Sequence, residues 1–97
     1  MTELFKENLK HFSSGHYDYE QAVKLYDREI EGNATNSAAY NNRGLCKIHL
    51  GSDPYNSNII KDGIEDFTIA IQLAEKEGAA TDNIQHNLAW AINLLKF

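Results

Sequence analysis

Apolar residues recur at intervals of three and four along this chain, and that spacing limits the folds open to it. Such intervals place side chains on one face of an α-helix, whereas a half-buried strand needs alternation of two. The sequence contains no alternating segment, so it predicts an all-α fold of five helices. In chain order the predicted helical stripes are Leu4, Phe5, Leu9 and Phe12; Tyr19, Ala22, Val23, Tyr26 and Ile30; Tyr40, Gly44, Leu45, Ile48 and Leu50; Ile60, Ile64, Phe67, Ala70, Ile71 and Ala74; and Ile84, Leu88, Ala91, Ile92 and Leu95.

Residues that favour turns and caps separate these stripes. Gly32 and Asn33 tolerate the left-handed conformation that ends many helices, and Gly51 and Gly78 end the next two stripes. Residues 35–37 offer side-chain oxygens to the free amides of the third helix, as Thr81 or Asp82 does for the fifth. Residues 55–58 are predicted to form a loop.

The stripes repeat in pairs. The second and fourth predicted helices superimpose at an offset of 41, which pairs Tyr26 with Phe67. The third and fifth superimpose at an offset of 45, which pairs Gly44 with Ala89. The repeating unit is therefore a pair of helices, used about two and a half times.

A further set of small and aromatic residues resembles the tetratricopeptide repeat, a helix pair with a period of about 34 residues. The residues that carry the resemblance are Ala39, Tyr40, Asn41, Asn42, Arg43, Gly44, Leu45, Leu50, Gly51, Gly63, Ile64, Phe67, Ala70 and Ile71. The resemblance implies a short solenoid of antiparallel helix pairs, in which residues 1–97 form one domain and Gly44 packs closely against Gly63 and Ala70. Between Gly51 and Gly63 the chain is about seven residues longer than this pattern. The extra residues are either a tolerated surface insertion or a partner contact through Tyr55.

In the family it resembles, the first helix of each pair lines a concave surface that holds a peptide or a partner segment. Carried over by position, the partner-binding residues are Asn41, Asn42, Leu45 and His49 in the third helix and His86, Asn87 and Trp90 in the fifth. The amides of Asn42 and Asn87 are expected to bond a partner's backbone, unless they are simply solvated surface side chains. One subclass of the family binds acidic chaperone tails through cations, but Asn83 and Asn87 stand where cations are expected. An uncharged or basic peptide is the better fit.

Charge narrows the partner class further. The 97 residues include 14 acidic and 9 basic side chains, a formal net charge of −5. This balance disfavours nucleic acid and anionic membranes, which both need cations. No segment has the length of a membrane span and the single Cys46 allows no internal disulfide, so we expect a soluble cytoplasmic protein. A second hypothesis is a small acidic inhibitor or immunity-type protein that blocks a basic target such as a nuclease.

The sequence gives little support to catalysis. Cys46 and His49 lie three residues apart and could form a nucleophilic pair, but Cys46 aligns with Ala91 in the repeat and is more simply a small core residue. No phosphate-binding loop or paired metal motif occurs. We therefore predict a non-enzymatic protein without metal or cofactor.

The last predicted helix carries a second apolar stripe beside its core stripe. Trp90, Leu94 and Phe97 recur at intervals of four and three and therefore share one face. Exposed apolar faces usually mark contacts, so this stripe predicts a homodimer or a docking partner, the alternative being that it folds back onto the body.

Overall fold

Four α-helices make up most of residues 18–95, the part of the chain that the computed structural model describes. They are α1 (Tyr19–Gly32), α2 (Ser37–Ser52), α3 (Ser57–Lys76) and α4 (Asp82–Leu95), and they correspond to the second to fifth predicted helices. Within residues 18–95 there is no strand beyond an isolated bridge between Ser52 and Tyr55. The all-α class is thus confirmed, whereas the first predicted helix, residues 4–12, lies outside the described residues.

Polar side chains begin the helices as their type predicts. Asp18 accepts a hydrogen bond from the amide of Gln21 at 2.9 Å, and Asn36 accepts one from Ala39 at 3.1 Å. Asn56 caps α3 in the same way. The predicted loop at residues 55–58 is therefore two residues too long, because the Asn56 side chain starts the helix at Ser57.

Two of the three predicted helix ends are confirmed in position, and the third is one residue too early. Gly78 adopts a left-handed φ of 72° just after α3. Asn33 instead caps α1 in an extended conformation, with φ −151°. Gly51 does not end α2, because the helix runs one residue further and the glycine is buried against Ile60.

The helices pack in sequence, and the core divides between them. α2 lies against both α1 and α3, α4 lies against α3, and α2 and α4 also meet. A first cluster of buried residues joins α1 to α2: Ala22, Tyr26, Ala39 and Cys46. A second cluster joins α2, α3 and α4: Ile48, Ile60, Phe67, Ala70, Ala74, Ile84 and Ala91. The middle helix α2 therefore contributes to both clusters.

Two glycines allow α2 and α3 to approach closely. A Cβ placed on Gly44 would lie 2.8 Å from Cε1 of Phe67 and 3.0 Å from the carbonyl oxygen of Gly63. A Cβ on Gly63 would in turn lie 3.0 Å from the carbonyl oxygen of Gly44. The predicted contact between these small residues is confirmed, since neither site has room for a methyl group.

One residue of the predicted core stripe is misplaced. Ile92 is 42% exposed, although Ile84 and Ala91 on the same helix are buried. The side of α4 that carries Ile92 is turned about 100° from Ala91, and only α2 and α3 pack against this helix among the described elements.

Candidate partner-binding surface

The predicted surface residues lie on α2 and α4, and two of them bond to each other. The side-chain amide of Asn87 donates a hydrogen bond to the side-chain oxygen of Asn41 at 3.1 Å. Asn41 is only 9% exposed. This bond satisfies a buried polar group, so part of the hydrogen-bonding capacity predicted to hold a partner is used within the fold.

Two others bring aromatic rings together across the same helices. The rings of His49 on α2 and Trp90 on α4 have centroids 5.6 Å apart. On its other side His49 stacks on Tyr19 of α1, with centroids 4.7 Å apart and planes only 6° from parallel. We call these three side chains the aromatic row. Each comes from a different helix, so the row depends on the packing of all three.

Two of the three side chains in the aromatic row are accessible to solvent. His49 is exposed and Trp90 is 37% exposed. Burial of part of the imidazole lowers the pKa of His49 below its ordinary 6.5. The ring is therefore neutral at physiological pH.

The remaining predicted residues are more dispersed. Leu45 is partly buried and packs against the second cluster. Asn42 is partly buried and His86 is exposed, and neither side chain makes a hydrogen bond or ring contact with another residue of 18–95. The partner-binding role of Asn42 remains a prediction.

The predicted association stripe is only partly exposed. Trp90 is accessible, but Leu94 is partly buried and packs against the second cluster. Phe97 lies outside the described residues. Leu94 thus has cover that the sequence did not reveal, because the C-terminal end of α4 lies over the core.

An open pocket of about 650 Å³ lies beside the aromatic row, at the C-terminal end of α2. Its lining residues come from the start of α1, the end of α2, the segment that follows and the first turn of α3: Tyr19, Glu20, His49, Leu50, Ser52, Asp53, Pro54 and Ile59. Sequence reasoning missed this pocket. The available signal was the insertion relative to the repeat, since Asp53, Pro54 and Ile59 belong to it. Tyr55 is 51% exposed, and its role as a partner contact remains a prediction.

The sequence also did not reveal a network of charged side chains that joins α1, α2 and α3. Arg43 on α2 donates two hydrogen bonds to the Asp66 carboxylate on α3, at 3.0 Å from Nε and 2.7 Å from Nη2. It donates a third, at 2.9 Å, to Asp27 on α1, while Lys47 Nζ lies 3.1 Å from Asp66. Hydrogen bonding to Asp66 raises the pKa of Arg43, against the opposing effect of burial. The network links α1, α2 and α3 and holds the helix that carries His49.

The thiol of Cys46 is placed for packing. It is buried in the first cluster, and burial raises its pKa to about 12. A thiol is a weak nucleophile in that protonated form. Within the described residues there is also no group of three His, Cys, Asp or Glu side chains arranged to hold a metal ion.

Comparison with known proteins gives no relative for this geometry: no family model, curated protein or solved structure significantly matches the chain. Among residues 18–95, no helix is both long enough and apolar enough to cross a membrane.

Proposed function

We propose that this chain is a protein-interaction module of tetratricopeptide type, which holds a peptide or partner segment across the surface shared by α2 and α4. The observation that carries this proposal is the accessible pair of rings, His49 and Trp90, supplied by two helices that are not consecutive in the chain.

The aromatic row has the properties of a binding site's centre. Trp is enriched among the residues that dominate interface energies, because its large ring buries much apolar area with few rotatable bonds. Stacking on Tyr19 and contact with Trp90 also restrain the His49 ring before any partner arrives. Less side-chain entropy is then lost on binding.

The helix arrangement supports a short solenoid. α1 would be the second helix of one pair, α2 and α3 would form the next pair, and α4 would be the first helix of another, in keeping with the two offsets of the sequence repeat. The close approach of Gly44 and Gly63 holds one pair together. The Asn41–Asn87 bond joins the first helices of successive pairs. In this arrangement α2 and α4 line the concave side.

Substitution of Trp90 tests the proposal. The immobilised wild-type chain, Trp90→Ala and a control, Ile92→Ala, would be used to capture partners from the native cell for mass spectrometry. Ile92 is a suitable control because it is also an exposed apolar residue of α4. We expect wild type and Ile92→Ala to retain the same protein and Trp90→Ala to lose it, as a truncated hot spot costs about 2 kcal/mol or more. Equal retention by all three chains would contradict the proposal.

The acidic surface favours the second candidate, an inhibitor or immunity-type protein for a basic target. Exposed carboxylates recur along α3 at Asp62, Glu65 and Glu75. Binding through such a face is weakened when the carboxylates of α3 are neutralised, whereas binding centred on Trp90 does not depend on them. The captured partner's affinity for Glu65→Gln combined with Glu75→Gln, and for Trp90→Ala, separates the two functions.

A second copy of the chain is an alternative occupant of the same surface. Trp90→Glu would then convert a concentration-dependent mass in sedimentation to that of a monomer while the helical circular dichroism signal is retained. A wild-type chain that is monomeric at high concentration excludes this homodimer.

A further inference from the structure

We propose that the pocket beside the aromatic row takes a cationic side chain, a lysine or an arginine, from the bound partner segment. This inference rests on the proposed function and names the chemistry of the partner at one end of the same surface.

The pocket combines the two surfaces that such a side chain needs. Leu50, Pro54 and Ile59 supply apolar walls for an aliphatic stem. Glu20, from the first turn of α1, and Asp53, which follows α2, supply two exposed carboxylates for the charged end. The lining residues include no lysine or arginine.

Both carboxylates are available for a cation. Neither Glu20 nor Asp53 forms an ion pair or a side-chain hydrogen bond with another residue of 18–95. The contrast within the chain is Asp66, whose carboxylate is only 3% exposed and already contacts Arg43 and Lys47. The chain therefore neutralises its buried carboxylate and leaves the two pocket carboxylates without a described partner.

An aromatic ring adds a second attraction for the same charge. A cation near the face of an aromatic ring is stabilised by the ring's quadrupole. Tyr19 lines the pocket with such a ring. His49 is stacked against it, and its lowered pKa keeps the imidazole uncharged at neutral pH, so it does not repel a cation. An acidic side chain would instead meet Glu20 and Asp53, so the pocket selects by charge.

Peptide binding tests the inference directly. Three fluorescein-labelled peptides of equal length would be titrated with the full chain, each with alanine at alternate positions and lysine, glutamine or glutamate at the others. We expect the lysine peptide to bind at least about tenfold more tightly than the glutamine peptide and the glutamate peptide to bind most weakly.

A matched pair of variants separates the pocket from the overall charge. Glu20→Gln combined with Asp53→Asn removes two negative charges from the pocket, and Glu65→Gln combined with Glu75→Gln removes two from α3. We expect the first variant to weaken lysine-peptide binding by about tenfold or more and the second to change it less than about threefold. Circular dichroism and melting temperature would confirm that both variants fold.

Each other outcome overturns the inference. Equal weakening by the two double variants would show attraction to the overall charge only, and failure of wild type to bind the lysine peptide would show that the pocket takes no cation. Binding that begins only after Lys6 and Lys10 are replaced by Gln would assign the pocket to the chain's own cations.

If the pocket variant still captures the native partner while Trp90→Ala does not, the pocket inference fails and the proposed function stands. If Trp90→Ala also captures it, the proposed function fails.

Discussion

Asn87 on α4 donates a hydrogen bond to Asn41 on α2 across 46 positions of the sequence. The acceptor is almost fully buried, so its partner cannot be replaced by water without cost. One asparagine thus contributes to the stability of the surface on which it was predicted to bind.

Loss of this bond is expected to destabilise the fold. Asn87→Ala leaves the Asn41 side chain without its partner, which costs about 1 to 3 kcal/mol in the free energy of unfolding. Asn83→Ala is the control, because Asn83 is exposed on the same helix. Urea denaturation of the two variants measures the difference, and equal stability would show that the hydrogen bond contributes nothing.

The glycine contact predicts opposite effects of one substitution at two sites. Gly44→Ala forces a methyl group against Phe67 and the Gly63 backbone and should cost about 1 to 3 kcal/mol. At Gly32 an added Cβ meets nothing within 4 Å, so Gly32→Ala should stabilise α1 by about 0.5 to 1 kcal/mol. Thermal melts would show the opposite shifts. A Gly44→Ala chain as stable as wild type would contradict the close approach.

The charged network predicts that the two carboxylates bound by Arg43 differ in importance. Asp66→Asn leaves Arg43 and Lys47, whose side chains are mostly buried, without their counter-charge, and should cost about 2 to 4 kcal/mol. The Asp27 side chain is 47% exposed, so Asp27→Asn should cost less than about 1 kcal/mol. Chemical denaturation measures the free energy of unfolding of each variant. Similar losses would show that the burial of Asp66 does not increase the cost of its substitution.

The lowered pKa of His49 predicts a dependence of stability on acid. Above pH 6.5 the imidazole is neutral in both folded and unfolded chains and has no effect. As the pH falls below 6.5, the unfolded chain binds a proton that the folded chain binds only at lower pH, so stability decreases. The effect is modest because the ring is exposed. His49→Gln should lose less stability than wild type between pH 7.5 and 5.5 in thermal melts. An identical loss would exclude a contribution from His49.

Helical periodicity was sufficient to predict the all-α class and the positions of the four helices within residues 18–95. The stripes through Ala22 and Tyr26, and through Phe67 and Ala70, are buried as the 3.6-residue period requires. The contact between Gly44 and Gly63 was predicted from the resemblance to the tetratricopeptide repeat, in which small residues of the two helices of a pair pack closely. The buried stripes follow from local spacing alone.

The contacts at the candidate binding surface could not be predicted from periodicity, because they depend on how the helices pack against one another. The sequence shows that Asn87 and Ile92 lie on α4 but not which neighbouring helix covers each side. The ion pairs of Arg43 join residues 16 and 23 positions apart, at distances that only the packed helices define. Tyr19 was predicted as a core residue, and its stacking on His49 depends on the angle between α1 and α2.

Because Cys46 is buried, chemical labelling of its thiol can be used to follow partial unfolding of the chain. Its thiol lies in the cluster that joins α1 to α2, separate from the larger cluster of α2, α3 and α4. A thiol-specific reagent can modify it when α1 separates from α2, so the labelling rate under native conditions reports the opening of this first cluster. Amides in the larger cluster, followed by hydrogen exchange, would report the opening of the remaining helices. Comparison of the two rates would show whether the four helices unfold in one step or whether α1 separates first.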